Sequence, residues 1–549
     1  AAYVWVQNKG YTYSNVGSIT ATAPTVTVPG LKNSTLYRVA FYDTTTGALS
    51  SSTTATSNGS GVLSLSVPST SSDVAVKAIE GDWPQFQTTR ERTGAVPEGT
   101  DGSYSFGFAY FGPTSTETSL PLSASTSPVT ISGRVQPVIW NDRLYVATMD
   151  GNAYAANDTT GAHVWTRALD GAVVTTGAIG HGVLVFATMA GTVYGLNPSS
   201  GAVLWSTSVD YAMTASPLVD GTRVYVATHG GTLVALNIFD GAIVWSTNVN
   251  NAAPIDGDIA SDGTYVFVGD ETMNVHKVRQ SDGAVLASVR LKGQTFQACN
   301  PVVAGGKVWW TSFLTNSRGS ENLAENLFAA ATNLADEETK IATYLGGGGP
   351  YTDASVDWQH RFAVTISSWT EPFTILAMPS EGTGHPPPSM VVDNSGRVLT
   401  FGKTAFPSLI GNNGSTFGTA YTIDIFAINQ STGARITLGG GTRNSFPWET
   451  DNLYALSVAG NELWMNSEFR GTSALRTFSS SSTRTMVRNY VAVEDGSNNC
   501  PGVFPLCYKN GTDTPRITAS QGDFVWWPSP VIVAGRIYLR ESGFVSMFQ

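Results

Sequence analysis

The chain has 549 residues, 57 of them glycine, with 11% aromatic and only 13% charged residues. That length exceeds one ordinary core but suits a repeat array, in which each unit packs only on its neighbours. The net charge of −11 argues against a nucleic-acid partner, which would demand a basic face, and no apolar run reaches the length of a membrane span.

The first residues, Ala1-Ala2-Tyr3-Val4-Trp5-Val6, carry neither an initiator Met nor a signal peptide, and read as a mature end left by cleavage. Residues 1–80 alternate as short strands: Tyr3–Val6, Ser18–Thr22, Thr25–Val28, Leu36–Tyr42, Val62–Val67 and Val74–Ile79. Pro29-Gly30, Thr46-Gly47 and Asn58-Gly59 mark turns. The pattern predicts a small β-sandwich, and Leu36–Asp43 resembles a strand of the fibronectin-III or immunoglobulin-like families. Residues 81–134 form a lead-in, in which Phe106–Tyr110 is the candidate for a ring-closing strand.

From residue 135 to 549 a repeat dominates. Leu144–Asn157, Leu184–Asn197 and Val224–Asn237 align, each followed by a Gly (Gly161, Gly201, Gly241) and a Trp (Trp165, Trp205, Trp245), spaced by 40 residues. Asp150-Gly151, Ala190-Gly191 and Gly230-Gly231 are hairpin signals. A fourth copy runs from Tyr265 to Gly283, with Ala287 at the Trp position. Later copies start at Pro301, Met390, Leu453 and Pro530 and are less regular, while 352–388 fit no copy and Leu327–Thr332 reads as a strand. One four-stranded unit cannot bury both faces, but several arranged radially can. The fold class is therefore all-β: an eight-bladed β-propeller, alternatively seven-bladed, behind a β-sandwich. Trp165, Trp205 and Trp245 read as blade-packing residues.

This repeat resembles the PQQ-like (quinoprotein-type) family, as does the lead-in Asp82-Trp83-Pro84-Gln85-Phe86-Gln87 followed by Arg92-Thr93-Gly94. That family includes quinoprotein alcohol dehydrogenases and an outer-membrane assembly lipoprotein. The resemblance implies a propeller. Its alcohol dehydrogenases imply an adjacent Cys-Cys pair, which the three cysteines here do not form. Quinone-dependent oxidation is accordingly not expected, and fold alone does not carry activity.

Other chemistry is sparse. Asp256 and Asp258, with Asp270 nearby, are the best hard-oxygen ligands, and Ca2+ is the cofactor they would take; otherwise they cap turns and no cofactor is implied. No catalytic residue is assigned. His360-Arg361 and Arg443 sit in irregular segments, and Trp309-Trp310, Trp358, Trp369 and Trp526-Trp527 either stack on sugars or pack the core. Cys500 and Cys507 form a disulfide in an oxidising compartment or remain free thiols, and Cys299 is left over. Asn33, Asn58, Asn157, Asn413, Asn429 and Asn510 lie in glycosylation sequons, compatible with a secreted or cell-surface glycoprotein. The functional expectation is a secreted, non-catalytic structural scaffold for adhesion or assembly. Its partners would be protein subunits or cell-surface glycans, with homo-polymerisation into a surface filament as an extension. A polysaccharide-active lyase or hydrolase is the alternative.

Overall fold

A computed structural model describes residues 2–7, 23–31, 36–44, 49–68, 73–80, 82–96, 106–113, 115–119, 129–272, 274–290, 300–314, 357–369, 373–380, 390–393, 395–403, 423–431, 435–436, 453–460, 462–467, 471–476, 486–489, 506–508, 515–517, 530–533, 535–540 and 543–548. All regular elements among them are β-strands. Ser18–Thr22, Leu327–Thr332, Arg443, Trp526-Trp527, Cys299, Cys500, Asn33, Asn413 and Asn510 lie outside the described residues.

The N-terminal strands make two sheets. One orders Ala2–Val6, Val74–Glu80, Leu36–Asp43 and Leu49–Thr56; the other pairs Thr25–Val28 with Leu63–Ser66. Alternation decides the packing. Tyr37, Val39, Phe41, Leu63, Leu65, Val74 and Val76 form one buried cluster, and Ala2, Val4 and Val6 pack against it. Tyr3 and Trp5 face outward on the same edge strand, 74% and 63% exposed. The strand Leu49–Thr56, rich in Ser and Thr, has no apolar alternation to reveal it.

The remaining chain builds the propeller. Its first sheet contains Val138–Trp140, Arg143–Ala147, Asn152–Asn157 and His163–Ala168, in that order from the axis outward. The next three repeat this at 178–208, 218–248 and 260–290. The fifth contains Val302–Ala304, Lys307–Leu314, Asp357–Thr365 and Phe373–Ser380. Residues 352–388, which matched no repeat, thus include two strands of a blade. The 315–356 segment separates them from their hairpin partner and displaces the turn punctuation. Further sheets use 391–436, 453–489 and 531–548. The last takes Phe106–Tyr110 as its fourth strand, paired antiparallel to Val545–Phe548, which joins the two ends of the ring.

Gly and Trp recur together because they touch. Trp165, Trp205 and Trp245 are each less than 9% exposed, and each donates its indole N–H to a carbonyl of the following blade: Pro198, Ile238 and Gln280, all at 2.8 Å. A Cβ on Gly201, Gly241 or Gly283 would lie 2.5–2.6 Å from the ring of Trp165, Trp205 or Trp245. Those glycines also turn the chain at positive φ, 68°, 71° and 74°. At the ring junction Phe108 takes the tryptophan's place, 2.6 Å from a Cβ on Gly161.

Gly241→Ala should therefore destabilise the protein more than Gly221→Ala. Both have positive φ, and each should lose roughly 1–2 kcal/mol for that reason. Nothing lies within 4 Å of a Cβ at Gly221. At Gly241 displacing Trp205 should add about 1–3 kcal/mol. Denaturant melts of the two variants measure the difference, and equal losses would refute the Trp–Gly contact.

Candidate functional site

Propeller ligands commonly bind near the axis, where the innermost strands converge. Here the chain fills that axis itself. Segment 83–96 crosses it and meets the blades in ring order. Trp83 and Ile139 exchange two backbone hydrogen bonds, and Ile179 N–H donates to Pro84 O at 2.7 Å. Val219 N–H donates to the Gln85 Oε1 at 3.0 Å. Ser261, Val303 and Val392 donate to the carbonyls of Arg90, Glu91 and Thr93, each at 2.9 Å, and Val458 donates to Gly94 O at 2.8 Å. The path is tight: Gln87, Thr88 and Arg92 adopt positive φ of 52°, 60° and 60°. Such strain persists only where surrounding contacts hold it.

Arg92 is fully buried in this segment. It donates to the carbonyls of Ile259 at 2.7 Å, Phe86 at 2.6 Å and Pro217 at 3.2 Å, so it ties the axial segment to the third and fourth blades. Burial lowers its pKa to about 10, with the Asp258 carboxylate opposing that shift.

A polar belt surrounds the axis beside this plug. Gln136 N–H donates to Thr176 Oγ1 (2.8 Å), Thr176 N–H to Ser216 Oγ (3.2 Å), Ser216 N–H to Asp258 Oδ1 (2.5 Å) and Asp258 N–H to Asn300 Oδ1 (3.3 Å). Gln136 Oε1 also accepts the Gln87 N–H at 2.9 Å. Each blade thus supplies an acceptor for its predecessor's amide. The sequence carries the signal as a polar residue two places before an inner strand, as in Gln136-Pro137-Val138, Ser216-Pro217-Leu218 and Asn300-Pro301-Val302. Sequence reasoning missed it because the residue type varies.

The candidate calcium ligands occupy distinct settings. Asp258 is a belt member, and burial raises its pKa against Arg92 and the Ser216 N–H. Asp256 lies two residues outward, accepting from Thr214 Oγ1 at 2.6 Å and facing His229 Nδ1 at 2.9 Å. Burial would raise its carboxyl, but hydrogen bonds with Glu271, Thr214 and His229 outweigh that and hold it below the ordinary value. Arg134 Nη1 reaches the carbonyls of Thr214 and Asp256, each at 3.4 Å. Asp270 sits in a turn and accepts the Asn274 N–H at 3.1 Å, as Thr188 and Thr228 accept those of Thr192 and Thr232. Among the described residues no three His, Cys, Asp or Glu side chains are grouped to hold a metal ion.

Several other residues take structural places. Trp309 is buried in a cluster with Met390, Val392 and Val398 of the sixth blade, and Trp310 and Trp369 in one with Phe267 and Val275 of the fourth. His360 and Arg361 lie on the strand Asp357–Thr365. Cys507 pairs with Arg516 in a two-stranded sheet, while its suggested disulfide partner Cys500 is outside the described residues. Of the sequon asparagines, Asn58, Asn157 and Asn429 accept turn amides through Oδ1, from Ser60, Thr159 and Ser431 at 2.9, 3.0 and 2.9 Å. Asn197 and Asn237 do the same outside any sequon, so Asn157 is first a turn residue of the repeat.

A family model described as outer membrane protein assembly factor BamB matches residues 114–249 and 240–326. No curated protein matches the chain. Among solved structures, quinohemoprotein alcohol dehydrogenase from Comamonas testosteroni is 10% identical over 85% of this chain and 80% of its own, with a TM-score of 0.52. Quinohemoprotein alcohol dehydrogenase ADHIIG from Pseudomonas putida HK5 is also 10% identical, over the same shares, with a TM-score of 0.50. BamB from Moraxella catarrhalis is 15% identical over 77% of this chain and 98% of its own, at 0.44. The main body is thus an all-β propeller. Over residues 114–326 its repeat is similar to that of the matching family model.

Two variants probe the axis. Arg92→Met should cost roughly 3–5 kcal/mol, because three carbonyls and the buried Asp258 lose their partner; chemical denaturation measures it, and a loss near zero would show that the segment is not needed to seal the axis. Asp220 accepts from Arg90 at 2.9 Å and from Ser261 and Gln280 at 2.6 Å. Burial would raise its carboxyl, but these hydrogen bonds hold it below the ordinary value. Its contribution is therefore complete above the usual carboxylate range, near pH ~4, and is lost as pH falls through the folded-state value. Melting temperatures of the native protein and Asp220→Asn should differ most at neutral pH and converge in acid.

Proposed function

We propose that the protein is an extracellular assembly scaffold whose propeller presents its outer edges to other protein subunits. The observation that carries this reading is periodic exposure on the rim. The outermost strands of four consecutive blades display Val164, Leu204, Val244 and Leu286 at one repeat position, 38%, 50%, 38% and 43% exposed. Val203 and Ile243 add a second row, 43% and 49% exposed. Among the described residues each of these strands has one ladder neighbour. Apolar side chains on open strand edges are the surface a protein partner covers, with main-chain hydrogen bonds available beside them. The axis, by contrast, is filled by segment 83–96 and its own hydrogen bonds.

The matching family model, that of an outer membrane protein assembly factor, supports an assembly role of the same kind. Secretion, glycan adhesion and filament formation extend this reading. In the filament version the N-terminal strand would add to a neighbouring subunit. Ala2–Val6 is paired to Val74–Glu80 of its own chain, so that exchange would first cost the cluster Ala2, Val4 and Val6.

Leu204→Lys with Val244→Lys should leave folding unchanged, since both side chains are exposed, and should weaken self-association or capture of native partners at least about tenfold. Sedimentation and electron microscopy of material from the native source measure this. Assemblies identical to those of the unaltered protein would overturn the rim as the docking surface.

A further inference from the structure

The fourth blade departs from the repeat in two places, and the two departures meet. At the end of the second strand, the first three blades carry Thr148, Thr188 and Thr228; the fourth carries Asp270. On the third strand, Tyr154, Tyr194 and Val234 give way to His276. Across from these, the outermost strand keeps a hydroxyl throughout: Thr166, Ser206, Ser246 and Ser288. In the first blade Thr166 Oγ1 also lies 3.3 Å from an imidazole, His163 Nε2, but the other nitrogen of that ring meets the Tyr110 hydroxyl; in the fourth blade the imidazole is backed by a carboxylate.

The three side chains form a chain of contacts. Ser288 Oγ lies 2.7 Å from His276 Nδ1, and His276 Nε2 lies 2.8 Å from Asp270 Oδ2. His276 and Asp270 are 1% and 0% exposed, whereas Ser288 is exposed. Asp270 is held by further donors: Asn250 Nδ2 at 2.7 Å, Thr272 Oγ1 at 2.9 Å and Asn274 N–H at 3.1 Å. A carboxylate so surrounded accepts the Nε2 proton, which leaves the Nδ1 lone pair toward the serine O–H. An exposed hydroxyl, a base in reach and a buried carboxylate orienting the base are the parts of an activated nucleophile.

We propose that Ser288, His276 and Asp270 constitute a hydrolytic triad on the outer edge of the fourth blade, acting on carboxylic esters. Ser288 Oγ bonds to the ester carbonyl carbon as its proton passes to His276 Nδ1. The C–O bond to the alcohol breaks, and the alcohol leaves with that proton. Water then gives a proton to Nδ1 and its oxygen to the acyl carbon; the acid departs, and the proton returns to Ser288 Oγ. The reaction consumes one ester and one water and yields one acid and one alcohol. Among the described residues the strand Val285–Arg290 has one ladder neighbour, so amides on its other side are the donors available to the developing oxyanion. Asp270 is a positioning residue. The triad stands on the rim, apart from the axial segment, and goes beyond the scaffold reading without depending on it.

The intact protein is treated with a fluorophosphonate probe, and modified serines are located by peptide mass spectrometry. Ser288 is expected to react, while Ser206 and Ser246, exposed at the same repeat position, are not. Asp270→Thr combined with His276→Tyr rebuilds the second blade's own residues. It should fold and should slow labelling of Ser288 by about a hundredfold or more. Asp270→Asn keeps an oxygen to accept the Asn274 N–H, so it should fold, and it should slow labelling of Ser288 by about tenfold or more because the imidazole loses the carboxylate that orients it; a merely structural carboxylate would leave the labelling rate of the folded variant in place. Labelling of Ser288 no faster than Ser206 and Ser246, or undiminished in the folded double variant, would overturn the proposal.

Discussion

The constraint on which the architecture depends is the fate of backbone amides at the centre of the ring. The innermost strands of a propeller have no further strand toward the axis, so their inward N–H groups must find partners elsewhere. Segment 83–96 supplies them. Its carbonyls, with the Gln85 side chain, accept from Ile139, Ile179, Val219, Ser261, Val303, Val392 and Val458 in succession. The same segment then continues to Phe106–Tyr110, the strand that joins the last sheet to the first. Axis filling and ring closure are therefore coupled through a few residues that precede the repeats. The positive φ angles at Gln87, Thr88 and Arg92 belong to that coupling, since an irregular route is the only way to meet seven radially arranged strands.

Between blades the controlling contact is different. An indole from one blade lies on a glycine of the next and donates to a carbonyl there. Neither residue works without the other. A side chain on the glycine would collide with the ring, and without the ring the glycine turn would leave a void. Truncating a buried tryptophan of this kind costs roughly 3–5 kcal/mol. Thr207 and Thr247 reinforce the same joint by donating to the carbonyls of Gly241 and Gly283 at 2.7 and 2.8 Å, and Thr116 does so for Gly161 at the ring junction. The joint is thus conserved in chemistry within one chain even where Phe108 replaces the tryptophan.

Much of this is legible in the amino-acid sequence. The 40-residue recurrence of Gly161, Gly201 and Gly241 with Trp165, Trp205 and Trp245 announces radial units, because short strands between glycine turns need neighbours on both faces. What escaped sequence reading has physical reasons. The strands Asp357–Thr365 and Phe373–Ser380 pair with Lys307–Leu314 across a long sequence gap, and local periodicity carries no information about such a partner. Leu49–Thr56 was invisible because Ser and Thr on a sheet edge need no apolar face. The polar belt was hidden by chemistry rather than distance. A glutamine, threonine, serine, aspartate and asparagine all serve as acceptors, so no single residue type repeats.

Departures from the repeat separate residues that the fold requires from residues it merely permits. Asn157 shares its turn role with Asn197 and Asn237, so its sequon adds nothing to the reason it is there. Asp258 stands where Ser216 and Thr176 stand, and its carboxylate does what their hydroxyls do. Asp270 begins in the same way, as a turn acceptor in place of threonine. It differs in having a second duty, because its other oxygen meets a histidine that the repeat does not call for. Threonine would satisfy the turn, and tyrosine or valine would fill the third strand, as the first three blades demonstrate. Packing and turn geometry therefore account for a residue at each position without accounting for these two. Their common feature is that together they orient a base toward Ser288, the one member of the three that reaches solvent.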